Sequence, residues 1–253
     1  SVTNKMTIGT SHTHTGDYNT IGGGSGNKVT GNCSTVLGGE SNEATGTNAS
    51  IGGGEGNKVT GQCSALAGGC GNTVTGDCAY IGGGINNILA GGDGVLGGGN
   101  ANRTTSCADT VAGGHFNVAT GSCSFIGGGY GLSASGPWSV DVGGNCNITT
   151  GKYSTSVGGM SSRVTADFGT VAGGMLNVVS GLSGFVGAGA SNQSTAFGAA
   201  IVGGCCNTAG GRCSFIGGGT HNVIFAAVSG VIGGGRCNCI TGDGGVIGGG
   251  FSN

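Results

Sequence analysis

An apolar residue followed by glycines returns every 15 residues along almost the whole chain. Ile21, Ile51, Ile81, Ile126, Ile216 and Ile247 each open an Ile-Gly-Gly-Gly run, and Val36, Leu66, Leu96, Val111, Val171, Val186 and Ile201 stand at the same phase. Numbering each repeat from this residue as position 1, a second apolar column falls at position 9 (Val29, Ala44, Val59, Val74). Position 4 is always glycine, position 3 is glycine except at Ala188, and position 7 is Asn except at Leu132 and Ser162. Thr-Gly is usual at positions 10 and 11, as in Thr30-Gly31 and Thr60-Gly61. Gly and Asn suit tight turns, so the repeat predicts two turns per coil, Gly-Gly-x-x-Asn and Thr-Gly. The stretches between are too brief for helices. They predict two short strands, positions 13 to 2 (Cys123–Gly127) and positions 7 to 10 (Asn57–Thr60).

A fixed short period means stacked coils, in which each repeat meets only its neighbours. The expected fold is all-β: a parallel β-roll or β-solenoid of about sixteen 15-residue coils. At about 4.8 Å per coil that makes a stack of roughly 75 Å. Residues 1–20 read as an irregular N-terminal segment with a degenerate first coil from Met6. Residues 21–253 carry the repeat, with one extra residue near Phe225-Ala226-Ala227-Val228 read as a bulge. The first residue is not Met and Asn253 falls midway through a repeat, which reads as a processed product or a segment of a longer fibre.

Ile21, Ile51 and Ile81 with Val29, Val59 and Val74 are the expected coil core. Gly23, Gly24, Gly53 and Gly54 are the turn glycines, and Asn27, Asn42, Asn57 and Asn72 an amide ladder. Position 15 points away from this core, yet holds Tyr80, Phe125, Phe185 and Phe215. A strand apolar on both faces is buried on both, and a thin coil covers only one. The second face therefore predicts contact with another copy, since like chains close symmetrically.

Composition narrows the class. Glycine makes up 66 of 253 residues, but a single proline and no Gly-X-Y period exclude collagen. Only 7% of residues are charged and the apolar ones keep phase, against disorder. The net charge is −2 and the eight Lys and Arg are scattered, so nucleic acid is not an expected partner. No apolar run reaches transmembrane length, and the Ser-Val-Thr-Asn-Lys start is not a signal peptide, so no membrane insertion is expected.

Segments such as Asn57-Lys58-Val59-Thr60-Gly61-Gln62-Cys63-Ser64-Ala65-Leu66-Ala67-Gly68 and Thr120-Gly121-Ser122-Cys123-Ser124-Phe125-Ile126-Gly127 resemble the head repeats of trimeric autotransporter adhesins (YadA-like). Related glycine-rich repeats occur in phage and large-virus fibres. The resemblance runs from about residue 6 to 253. It implies a left-handed β-roll, three chains side by side, on a cell or virion surface. The chain departs from the family in a longer coil, in its Gly-Gly-Gly turn, in its cysteines and in the lack of a neck, stalk or anchor after the repeats. These departures favour a viral or phage fibre, or an excised filament segment.

Twelve cysteines stand out. Cys33, Cys63, Cys78, Cys123 and Cys213 share position 13, and Cys63 and Cys78 sit on adjacent coils within disulfide reach. The leading expectation is a buried ladder of small apolar residues, with disulfide staples second and a metal site third. Trp138, Tyr153 and Phe168 share the same position and read as an aromatic ladder against a neighbouring chain, or as a sugar platform. The Thr column (Thr30, Thr45, Thr60, Thr75) raises ice binding, but its neighbours Lys28, Glu43 and Lys58 argue against it. Sequons occur at Asn32, Asn48, Asn102, Asn147 and Asn192. Gly91-Gly92-Asp93-Gly94 is a lone calcium-roll fragment. His12, His14, His115 and His221 form no triad pattern. The acids read as dispersed over coil phases, with Glu40 and Glu55 a close pair in a surface turn. No catalytic, cofactor or metal residues are expected.

The expectation is thus a non-enzymatic structural fibre or adhesin module, homotrimeric, extracellular or on a virion, with a host surface glycan or protein as receptor. The alternative is a monomeric solenoid binding ice or polysaccharide on a flat face; a tailspike-type depolymerase stands last.

Overall fold

The computed structural model describes residues 5–253. Every element in it is a two-residue strand, paired in parallel with the equivalent strand of the next coil. The chain is a parallel β-solenoid of the expected class. It divides into two compact units, one ending at Cys123 and the other spanning Ser124–Asn253.

Three ladders, rather than two longer strands per coil, build each unit. Positions 15 and 1 pair in register, as in Thr20↔Thr35 and Ile21↔Val36. Positions 8 and 9 do the same, as in Lys28↔Glu43 and Val29↔Ala44. Position 5 forms single bridges, as in Ser25↔Glu40 and Glu40↔Glu55 in the first unit and Cys205↔Thr220 in the second. The expected strands at positions 13 to 2 and 7 to 10 therefore shrink to two residues each, and the turn between them contains a third ladder. The cause is backbone handedness: positions 6 and 13 adopt positive φ, as at Ser41 (56°) and Cys33 (56°), and a residue so placed ends a strand.

The core is one residue wide in each ladder. Ile21, Ile51, Ile81, Val29, Val59 and Val74 are fully buried, and in the second unit Val164, Val171, Val179, Val186, Ile201, Ile216, Ile224 and Ile232 form one buried cluster. Two side-chain columns close the turns over this core. Asn27 donates through Nδ2 to the carbonyls of Gly23 (3.0 Å) and Gly39 (2.9 Å), and its Oδ1 accepts the N–H of Asn42 at 2.9 Å. Asn42, Asn57 and Asn72 repeat the pattern and all four are fully buried. At position 14 Ser34 does the same for the opposite turn: its Oγ donates to Gly46 O at 2.7 Å and accepts the N–H of Ala49 at 3.1 Å. Its small side chain is thus a connector as well as a space-saver.

Register shifts occur at both ends of the repeat. Thr208↔Val223 is a 15-residue offset but Val223↔Cys239 is 16, which places the extra residue between Ile224 and Val231. There Ala227 N–H turns back to Phe225 O. In the first coil Met6 pairs with Thr20 and Thr7 with Ile21, so Thr7 and not Met6 stands at position 1, and that coil is one residue short before Thr10. Its remaining ladders are regular, with Thr13↔Lys28 and His14↔Val29. The first four residues of the expected N-terminal segment lie outside the described residues.

Candidate functional site

Three exposed columns are candidates, since the coil interior is one side chain wide. The first is the outer side of the position 15 and 1 ladder. Tyr80 is 44% exposed, Phe125 and Phe185 37%, and Phe215 39%. In the same face position 2 shows Leu37 in the first unit and Val142, Val157 and Val202 in the second, all exposed. The two columns are complementary in size. Gly127, Gly187 and Gly217 follow the phenylalanines, and a Cβ on any of them would touch the Phe ring at 3.4 to 3.6 Å. Each ring therefore lies down over its glycine, and the face stays level. Neither column contains a charged residue.

The second column is position 13, where the structure corrects the sequence reading. This position is a turn corner in the left-handed region, with φ of 56° at Cys33, 53° at Cys63, 52° at Cys78 and 54° at Trp138 and Tyr153. Side chains there point outward. Cys33, Cys63, Cys78, Cys123 and Cys213 are exposed and not a buried ladder. All twelve cysteines are free thiols, Cys63 and Cys78 among them on adjacent coils. Elsewhere Cys205 and Cys206 are in contact, Sγ to Sγ 3.2 Å, and that bond pushes the Cys206 thiol up. Among the described residues no three His, Cys, Asp or Glu side chains converge as metal ligands.

Trp138, Tyr153 and Phe168 stack in this column with centroids 5.0 and 5.3 Å apart and planes 16° and 18° from parallel. Lys152 Nζ caps the Trp138 and Tyr153 rings at 5.1 and 5.0 Å. Tyr153 spends both faces on its neighbours, and Trp138 and Phe168 one face each. A sugar docks on a ring face, so this geometry favours the aromatic-ladder reading over the platform.

The third column is position 8. Lys28 and Lys58 both reach Glu43, at 2.6 and 3.2 Å. The hydrogen bond from Lys28 chiefly holds the Glu43 carboxyl below its ordinary value. The Thr column beside it leans on the backbone of the next coil, as where Thr60 Oγ1 donates to Val74 O at 3.5 Å.

The remaining sequence candidates fall into structural roles. Asp17, Asp77, Asp167 and Asp243 are not dispersed: all occupy position 12. Asp77, Asp167 and Asp243 each accept a backbone N–H from the preceding coil, at 2.7 to 2.8 Å. Glu40 and Glu55 are bridge partners on exposed backbone. His12 stands in the Asn column. Its Nδ1 accepts the Asn27 N–H at 3.1 Å, and Nε2 donates to Ile8 O at 3.1 Å, the work of an asparagine amide. Of the sequons, Asn102, Asn147 and Asn192 belong to the buried amide ladder, whereas Asn32 and Asn48 are exposed. An open depression lined by Lys5, Met6, Tyr18, Asn19 and Thr20 presents no paired acid and base. No described helix is long and apolar enough to cross a membrane.

A comparison with protein-family models finds no match for the chain, and neither does a comparison with curated proteins.

Proposed function

We propose that the chain is a self-associating fibre module: a homotrimeric β-solenoid that provides rigid display on a virion or cell surface and attaches to a host glycan or protein receptor. One observation carries this reading: positions 15 and 2 form a level, uncharged face of Thr, Ser and Gly in which apolar side chains stand exposed, Leu37, Tyr80 and Val95 in the first unit and Phe125, Val142, Val157, Phe185, Val202 and Phe215 in the second. Soluble monomers rarely leave contiguous apolar patches of more than a few hundred Å² to water. A flat face repeated at the period of the coil fits an equally periodic surface, and a second copy of the chain supplies one. Three copies, and the surface location, follow the resemblance to autotransporter heads and viral fibres.

The test is the native mass by light scattering on a sizing column, with and without reductant. The expected result is three times the 23.7 kDa of one chain, unchanged by reductant. A single-chain mass overturns self-association and turns the same face into a candidate for ice or polysaccharide. Release of reducing sugar from capsular polysaccharide overturns the non-enzymatic reading.

A further inference from the structure

Inside the second unit six buried side-chain oxygens meet no hydrogen-bond partner; besides Ser214 Oγ, five lie between Ser139 and Ser156. They are both carboxylate oxygens of Asp141, Oγ of Ser139 and Ser156, and Oγ1 of Thr149. All four residues are fully buried. Asp141 and Ser156 are register partners in a column otherwise held, from Ile21 onward, by Ile, Val and Leu, with Ile126 before them and Val171 after. Thr149 looks into the same interior from the position 9 column, between Ala134 and Val164. Ser139 precedes Asp141 by two residues and shares its inward side. The hydroxyls of Ser156 and Thr149 and the backbone N–H of Gly143 lie near enough to favour a charged Asp141, but both carboxylate oxygens stay outside hydrogen-bond geometry with them.

Orphan acceptors are expensive, and a buried carboxylate far more so unless it is paired or coordinates a metal. Ser34, Ser64, Asn27, Asn42 and Asn57 solve the problem by reaching across to the next coil, whereas the hydroxyls of Thr104 and Ser214 stay unpartnered but carry no charge. The Asp141 group does not. Its donor atoms are all oxygen, a set that selects hard cations. Its charge is a single negative one, and the inward neighbours Ile126, Ala134, Ser154, Val164 and Val171 add none. A monovalent ion balances it; a divalent ion would leave a net charge in a dry interior. Ser156 is smaller than the branched aliphatic side chain that the column usually holds.

We propose that Asp141, Thr149, Ser156 and Ser139 bind one small hard monovalent cation, of the sodium type, inside the coil. The ion ties two successive coils where the aliphatic column is interrupted.

The test is the thermal midpoint of the full chain at pH 8.5, in sodium chloride and in choline chloride at equal ionic strength. At that pH the carboxyl, which burial raises to about 7, has to ionise or take a partner. Sodium is expected to raise the midpoint by several degrees, with saturation, because it binds only the folded state. Asp141→Asn and Asp141→Val are expected to lose the difference. Equal midpoints in sodium and choline overturn the proposal and leave Asp141 as a buried neutral acid. A sodium effect that survives in Asp141→Val overturns it equally. If the variants do not fold, the wild-type comparison decides alone.

Discussion

At the scale of the single residue, the stability of each turn depends on the amide at position 7. Ser162 is one natural exception. Its Oγ accepts the Asn177 N–H at 3.3 Å and its own N–H reaches Asn147 Oδ1, but a hydroxyl cannot donate to two glycine carbonyls as Asn177 does to Gly173 and Gly189. Ser162→Asn is therefore expected to stabilise the chain by about 1 kcal/mol, the usual net gain of one or two such bonds. The converse change, Asn57→Ala, orphans the Asn72 N–H and Gly53 O, while Gly69 O keeps the Glu55 N–H, and is expected to cost about 2–4 kcal/mol at one to three per orphan group with some relief from water. Denaturant midpoints measure both; an unchanged midpoint in Asn57→Ala removes the ladder from the account. Asp141 adds a pH signature in sodium-free buffer. Burial raises its carboxyl to about 7, against about 4 in the unfolded chain. The folded state thus binds more protons between these values. Stability is full below pH 4, falls as pH rises through 7, and levels off above, by about 1.4 kcal/mol per pH unit in the window. Asp141→Val is expected to flatten that slope, read from unfolding midpoints at pH 4 to 8.

At the scale of the element, the repeat made the class of fold legible, but not the number of ladders. Ile21, Val29 and their equivalents carry a phase that any reading of the pattern finds, and they are the buried residues. Position 5 holds Ser25, Glu40, Cys70 and Ile85 in turn, so the third ladder, made by backbone alone, leaves no side-chain signal. Position 13 misled for a related reason. A run such as Cys123-Ser124-Phe125-Ile126 looks like a continuous strand, and nothing about a cysteine or a tryptophan announces positive φ. The position 12 aspartates did share a phase, and counting them from position 1 finds the column. The glycines, too, look alike in sequence and differ in kind. Gly38 at position 3 has open space where a Cβ would sit, whereas at Gly39, with φ of 88°, a Cβ would lie 2.1 Å from Gly54 O of the next coil. Gly39→Ala is expected to destabilise by at least 2 kcal/mol, combining backbone strain with a broken ladder, and Gly38→Ala to change stability by less than about 0.5 kcal/mol. Equal effects in urea unfolding would mean that coils part readily enough to admit a methyl group. Because repeats interact with nearest neighbours, hydrogen exchange in Gly39→Ala is expected to quicken in the coils containing Gly24 and Gly54 before others.

At the scale of the whole molecule, what distinguishes this chain from a self-sufficient solenoid is its choice of residues for water. The position 8 ladder mixes Lys28, Glu43, Lys58 and Arg103 with apolar side chains, whereas positions 15 and 2 carry no charge in any coil. If self-association runs through the latter face, an acid placed there must be buried without a partner in the oligomer, which costs several kcal/mol per copy. Phe125→Asp and Phe215→Asp are then expected to yield single chains that remain folded, since both rings lie outside the coil core. The control must make the same chemical change on another ladder. Lys58→Glu is a poor one, because Lys58 pairs with Glu43 and its reversal brings like charges together. Ile88, 42% exposed at position 8, is the better choice, and Ile88→Asp is expected to leave the mass of the assembly unchanged. Light scattering with circular dichroism separates the outcomes. Folded monomers from Phe125→Asp beside intact Ile88→Asp oligomers locate the interface. Dissociation by Ile88→Asp, or an unaltered mass in Phe125→Asp, moves the interface off the phenylalanine face and leaves that face free for a different ligand.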